Sequence, residues 1–188
     1  MTETAPTAAQ ICAVSELGAP AKALLRDGLG AREYLNLLME KRHFPDAVRF
    51  LAHAMPKREA VWWAWYCARR TPMPDPEGKL KAALDATEKW IAQPSDENCR
   101  AAHAAGEAAD FGTAAGCAGL AAFFSGGSLA PPNCPPVPPG EFLTAKAVSG
   151  AVIFAAVSTQ PEKAEEKFGA FIEQGLGIIN RIKLWGKE

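Results

Sequence analysis

Apolar residues recur every three or four positions along most of the chain, and the strict alternation of a half-buried strand is almost absent. That periodicity predicts a succession of short helices, and the prolines and glycines punctuate it. One helix is expected over 19–29, ending near Gly28-Leu29-Gly30. A second runs over 31–42 with Tyr34, Leu35 and Leu38 in its stripe. Pro45 can open a third, because a helix's first turn needs no N–H from it; this helix carries Ala47, Val48, Leu51 and Ala52. Pro56 then opens a fourth, ended by Thr71-Pro72-Met73-Pro74-Asp75-Pro76. A fifth, about 77–92, aligns Leu80, Ala83, Leu84, Thr87 and Ile91, and Ser95 with Asn98 three residues on is a start signal for the next.

Beyond residue 100 the pattern changes. Between 101 and 160 only Glu107, Asp110, Glu141 and Lys146 carry formal charge. The stretches 112–125 and 142–159 are mostly Ala, Gly, Val, Ile and Phe, so they read as helices buried on most sides. The Pro-rich run 130–140 between them can be neither helix nor central strand and reads as a stiff connector. The last helix, 162–185, places Phe168, Phe171, Ile172, Leu176, Ile179 and Ile182 on one face, with acids at its start and Arg181 and Lys183 near its end. The expected fold is all-α, eight or nine short helices packed as stacked hairpins, with residues 1–18 loose and 19–188 forming one domain.

Composition narrows the function classes. Hydrophobic residues at 48% and charged residues at 22% describe a globular chain, and a net charge of −1 argues against a dedicated nucleic-acid binder. Seven basic residues nevertheless fall within 41–70 (Lys41, Arg42, Arg49, Lys57, Arg58, Arg69, Arg70), against Asp46 and Glu59. The five cysteines are widely spaced with no Cys-x-x-Cys pair, which fits idle thiols in a reducing compartment. Residues 1–19 hold no basic segment followed by an apolar core, so no secretory signal is expected there and the localisation expected is cytoplasmic.

The candidate contact site lies on the fourth helix, which carries Trp62, Trp63 and Trp65. A helix turns about 100° per residue, so three indoles in four positions cannot all face one core. Lys57, Arg58, Trp63 and Trp65 are therefore the first candidates for a partner surface, since Trp and Arg are favoured at interface hot spots. Trp62 and Tyr66, four apart, can instead share the core face, with Arg58 beside them. A competing site lies at Cys99, His103, Glu107 and Asp110, whose spacing puts four metal-competent groups on one helix face. His103 and Glu107 are its metal or acid–base candidates, and no cofactor is expected. A third alternative is a membrane-associating helical hairpin, although the apolar runs near 114–124 and 148–157 fall short of the roughly 20 residues a span requires.

The run Asp46 to Ala64, with Pro56-Lys57-Arg58-Glu59-Ala60-Val61-Trp62-Trp63-Ala64 at its heart, resembles a family of uncharacterised bacterial proteins, a domain of unknown function of about this length. The phrases Ala101-Ala102-His103-Ala104-Ala105 and Pro161-Glu162-Lys163-Ala164-Glu165-Glu166-Lys167-Phe168 are similar to the same family, so the likeness spans most of the chain. A looser likeness, limited to Trp90 and 101–105, links it to alanine-rich, immunity-like helical proteins. These resemblances imply no activity and no catalytic residue. The looser likeness raises the expectation of binding another bacterial protein beside a secretion or toxin system, and the function expected of the chain is that of a non-enzymatic interaction protein, adaptor or immunity-like.

Overall fold

The computed structural model describes residues 6–73 and 78–185. It is all-helical among the described residues: α1 (Ala8–Val14), α2 (Ala19–Lys22), α3 (Ala31–Glu40), α4 (Phe44–Ala54), α5 (Lys57–Arg69), α6 (Lys79–Ala92), α7 (Asp96–Ala108), α8 (Ala114–Phe124), α9 (Leu143–Val157) and α10 (Ala164–Arg181), the last preceded by a 3-10 turn at Pro161–Lys163.

Punctuation set most of these boundaries. Pro45 lies in the first turn of α4, and Pro56 occupies the position just before α5. The Ser95 hydroxyl accepts the Asn98 N–H at 3.1 Å, which satisfies one of the N–H groups left over where α7 begins.

Two expectations are corrected at the N-terminus. The stretch 1–18, expected to be loose, contains α1, closed at its start by a reciprocal cap in which Thr7 and Gln10 bond each other's backbone N–H. Ala8, Ile11 and Cys12 tie it to the core. Residues 1–5 of that stretch lie outside the described residues. The helix expected over 19–29 is one turn long. Beyond it the chain tightens, Leu24 N–H to Ala21 O and Leu25 N–H to Lys22 O, and then reverses at Gly28, whose φ of 78° glycine adopts without a steric cost.

The pair α8 and α9 forms the centre. α8 packs against α5, α6, α7 and α9, while α9 packs against α4, α5, α8 and α10. Both are apolar over most of their circumference and buried on most sides, with Lys146 of α9 exposed. Small residues let α7 and α8 approach closely: a Cβ added at Gly119 would stand 2.5 Å from the Ala102 carbonyl oxygen. The last helix lies across α4 and α9, and Gly175 leaves room there for Leu51 and Trp63. No single helix among the described residues is long and apolar enough to cross a membrane. α9 and α10 meet the length and composition only as a pair bent by 112°.

The Pro-rich segment leaves the core entirely. Residues 131–138 are exposed, while the loop's neck is fastened. Leu129 N–H donates to Val137 O at 2.8 Å, the Ser128 hydroxyl accepts from Ala130 and Val137 N–H, and Arg100 donates to the Ala130 carbonyl at 2.8 Å.

Candidate functional site

Arg58, Trp62, Tyr66 and Arg70 recur at intervals of four, and the α-helical turn stacks them along one face of α5 and its C-terminal cap. Trp62 and Tyr66 are half-buried with their rings stacked, centroids 5.4 Å apart. The Arg70 guanidinium lies over the Tyr66 ring, 4.4 Å from its centroid. At the other end Arg58 donates Nε–H and Nη2–H to one acceptor, the Ile91 carbonyl where α6 ends, at 2.9 and 2.6 Å. Ring stacking and the cation over an aromatic face contribute about 0.5–1.5 kcal/mol each, so the row is held in place by contacts within the fold.

This row forms one wall of a groove, and α10 supplies the other. Near Arg58 the groove opens into a cavity of about 260 Å³ whose apolar lining is Trp62, Ile91, Ile178 and Ile182, with Arg58 and Arg181 as its cationic groups and Glu59 as its carboxylate. Near Arg70 it opens into a second, of about 210 Å³, bounded by Tyr66, Arg70, Lys167 and Phe171 among others.

The electrostatics separate α5 from the rest of the basic stretch. Lys41 pairs with Glu40, Arg42 with Glu165, Arg49 with Asp46 and Arg69 with Glu88. Lys57, Arg58 and Arg70 have no carboxylate within ion-pair distance among the described residues, and all three are exposed. Within the stretch 41–70, the cations without a carboxylate partner thus lie on α5 and its C-terminal cap.

The expected contact residues divide. Lys57 and Arg58 are exposed as expected. Trp63 is corrected: it is fully buried and donates Nε1–H to the Phe171 carbonyl at 2.8 Å, so it anchors α10 rather than a partner. Trp65 is half-buried, donates to the Leu84 carbonyl at 3.1 Å and carries Arg69 over its ring, a contact with α6. Trp62 and Tyr66, read from the sequence as core-capable, are the aromatics that line the groove. The signal for them was present in the four-residue spacing of Arg58, Trp62, Tyr66 and Arg70, which flanks two aromatic rings with cations.

The set Cys99, His103, Glu107 and Asp110 does not come together. Among the described residues no group of three or more His, Cys, Asp or Glu side chains is placed to hold a metal ion. His103 packs on Phe123 at 4.3 Å and Phe111 at 5.5 Å between centroids, and Glu107 is exposed. The buried Cys99 thiol donates to the Asp96 carbonyl at 3.2 Å. Asp110 ends α7 in the left-handed conformation, φ 70°, and its carboxylate accepts the Gly112 N–H.

One further cluster was not anticipated. His53 Nδ1 lies 2.8 Å from the Arg49 carbonyl, and its Nε2 is buried without a hydrogen-bond partner among the described residues. It borders a polar cleft shared with Glu16, Arg49 and Lys146, and Lys146 bonds Glu16 at 2.7 Å. Burial holds the His53 imidazole below its ordinary value near 6.5 and outweighs the pull of Glu16.

A family model matches residues 34–179, most of the chain and all of α5, and its description is a family of unknown function, DUF6931. The chain belongs to that family. The DUF6931 region takes in α4 to α9 whole, so both walls of the α5–α10 groove fall within it up to residue 179. No curated protein and no solved structure matches the chain.

Proposed function

We propose that this DUF6931 protein is a cytoplasmic, non-enzymatic binding protein that engages an acidic, partly apolar surface of another protein through the α5–α10 groove. The observation that carries this reading is the row Arg58, Trp62, Tyr66 and Arg70, two stacked, half-buried aromatics between two arginines that have no carboxylate partner among the described residues. Aromatic and Arg side chains fixed in place give the most binding energy per residue, because little rotamer freedom is lost on association. Unpaired cations steer an acidic partner and set its register. The cytoplasmic part of the reading rests on five free cysteines, four of them buried.

The experiment is affinity capture with cross-linking from the source cells, comparing wild type with a Trp62→Ala variant and an Arg58→Glu, Arg70→Glu double variant, all checked for folding by circular dichroism. One protein recovered with wild type and reduced at least tenfold with both variants supports the reading, and its recovery falls as salt is raised. Equal recovery with all three, or no specific protein with any, removes it.

A further inference from the structure

A second chamber lies behind the Arg70 end of the groove. It has a volume of about 210 Å³ and sits where the end of α5 meets the start of α6, the start of α8 and the end of α9; Ala68, Leu80, Leu84, Ala115 and Pro72 make its apolar lining. Thr71, Pro72 and Thr159 belong to its wall and also to the wall of the groove cavity that holds Arg70 and Lys167. Two spaces of different character therefore share one partition. One is mainly apolar, with hydroxyls of Thr71, Thr113, Ser158 and Thr159 in its wall. The other carries, among the described residues, two cations and one carboxylate, Glu166.

The partition contains an anomaly. The Thr71 hydroxyl is sealed from water and has no hydrogen-bond partner among the described residues. Leaving a buried hydroxyl unpaired costs about 1–3 kcal/mol. Nearby hydroxyls are satisfied: Thr113 donates to the Asp110 carbonyl at 2.8 Å, and Thr159 Oγ1 accepts from Lys167. Thr71 lines both spaces, and a change of its χ1 rotamer redirects the hydroxyl. An occupant that supplied the acceptor there would recover the whole penalty.

We infer that the paired chambers bind a medium-chain carboxylate, its alkyl tail in the apolar chamber and its carboxylate at the partition, accepting from Thr71 and facing Arg70 and Lys167. The size agrees. An apolar cavity of about 150 Å³ is enough to hold a benzene ring, so the apolar chamber takes a tail of about six to eight carbons. The charge agrees as well, because the two cations outnumber the one carboxylate, Glu166, and a neutral alcohol would leave that excess unbalanced, while a charged head inside the apolar chamber would lose its hydration. This inference shares Arg70 with the protein-binding reading, but Thr71 and the apolar lining take no part in that reading, so Thr71→Val tests the inference separately.

Octanoate titrated into the purified full chain, followed by calorimetry, tests it. Saturable binding with one site is expected, at least tenfold weaker in Thr71→Val, a change that keeps the shape of the side chain and removes only the hydroxyl. A similar loss is expected in Arg70→Gln with Lys167→Gln, and in wild type when 1-octanol replaces octanoate. No saturable binding by folded wild type overturns the inference. So does octanoate binding unchanged by Thr71→Val, which would place the ligand elsewhere, or equal affinity for octanol, which would remove the carboxylate from the assignment.

Discussion

Replacing Gly119 by alanine sets two known effects against each other at one atom. In an open helix the exchange stabilises by about 1 kcal/mol, because alanine loses less backbone freedom on folding. At Gly119 the new Cβ arrives 2.5 Å from the Ala102 carbonyl oxygen and 3.2 Å from the Gly106 Cα, and both obstacles are backbone of α7. Neither can rotate away, so α7 and α8 must separate by about 1 Å to restore ordinary contact. Overpacking of that kind costs about 1–3 kcal/mol, and separating the helices also disturbs the buried faces around them. The net expectation is a loss of about 1–2 kcal/mol. Gly169, in α10, is the internal control, because a Cβ there meets nothing within 4 Å. Gly169→Ala is expected to gain about 0.5–1 kcal/mol. The two variants should then differ by about 3–12 °C in melting temperature, given about 2–4 °C per kcal/mol for a chain of this size. Thermal melts by far-ultraviolet circular dichroism, with urea unfolding as a second measure, report the difference. A Gly119→Ala protein as stable as Gly169→Ala would refute the claim that the α7–α8 spacing is set by absent side chains.

The buried imidazole of His53 gives a pH dependence of defined sign. Its folded pKa is depressed, so above about pH 6.5 it is neutral folded or unfolded and contributes nothing, whereas on acidification the unfolded chain takes up the proton first and stability falls until the folded value is passed. Glu16, Arg49, Lys146 and Ser149 line the cleft with His53, and acid unfolding curves of His53→Gln are expected to lack this component below pH 6.5; an unchanged curve would count against it. Thiol reactivity should divide just as sharply. Cys134 is exposed on the Pro-rich loop, while burial pushes Cys67 well up and Cys117 up to about 11, so maleimide should label one site in the native protein and none in Cys134→Ser. Rapid native labelling of Cys67 or Cys117 would contradict the packing described.

The chain announced its helices through residues whose backbone chemistry leaves few choices. Pro45, Pro56 and Ser95 each mark a start, and the near absence of charge between 101 and 160 identified α8 and α9 as the buried pair. The reading failed where local propensity and tertiary packing diverge. α1 is only seven residues long and gains its order from burying Ala8, Ile11 and Cys12, which periodicity in so short a stretch does not reveal. On α5 the difficulty was rotational. Trp62 and Trp63 are adjacent, so their side chains point about 100° apart, and composition cannot decide which of them meets the core. The structure decides it through Gly175, which lacks the side chain that would collide with Trp63, and through the Phe171 carbonyl that accepts its N–H. The metal candidate failed differently: the helical spacing was sound, but nothing in a single helix face brings a further ligand from another element.

The fastened neck of the Pro-rich loop has a consequence for how freely this chain can change length. Leu129 and Val137 are joined by a backbone hydrogen bond, and Ser128 and Arg100 hold the same junction, so the two ends of the exposed segment stay together whatever lies between them. Doubling the length of a loop whose ends are already closed costs only about 0.6 kcal/mol in entropy. No buried side chain lies within residues 131–138 to be pulled out of register. The segment is therefore a port in the molecule, a place where sequence can be inserted, a label attached or the chain reopened at new termini while the helices on either side keep their alignment.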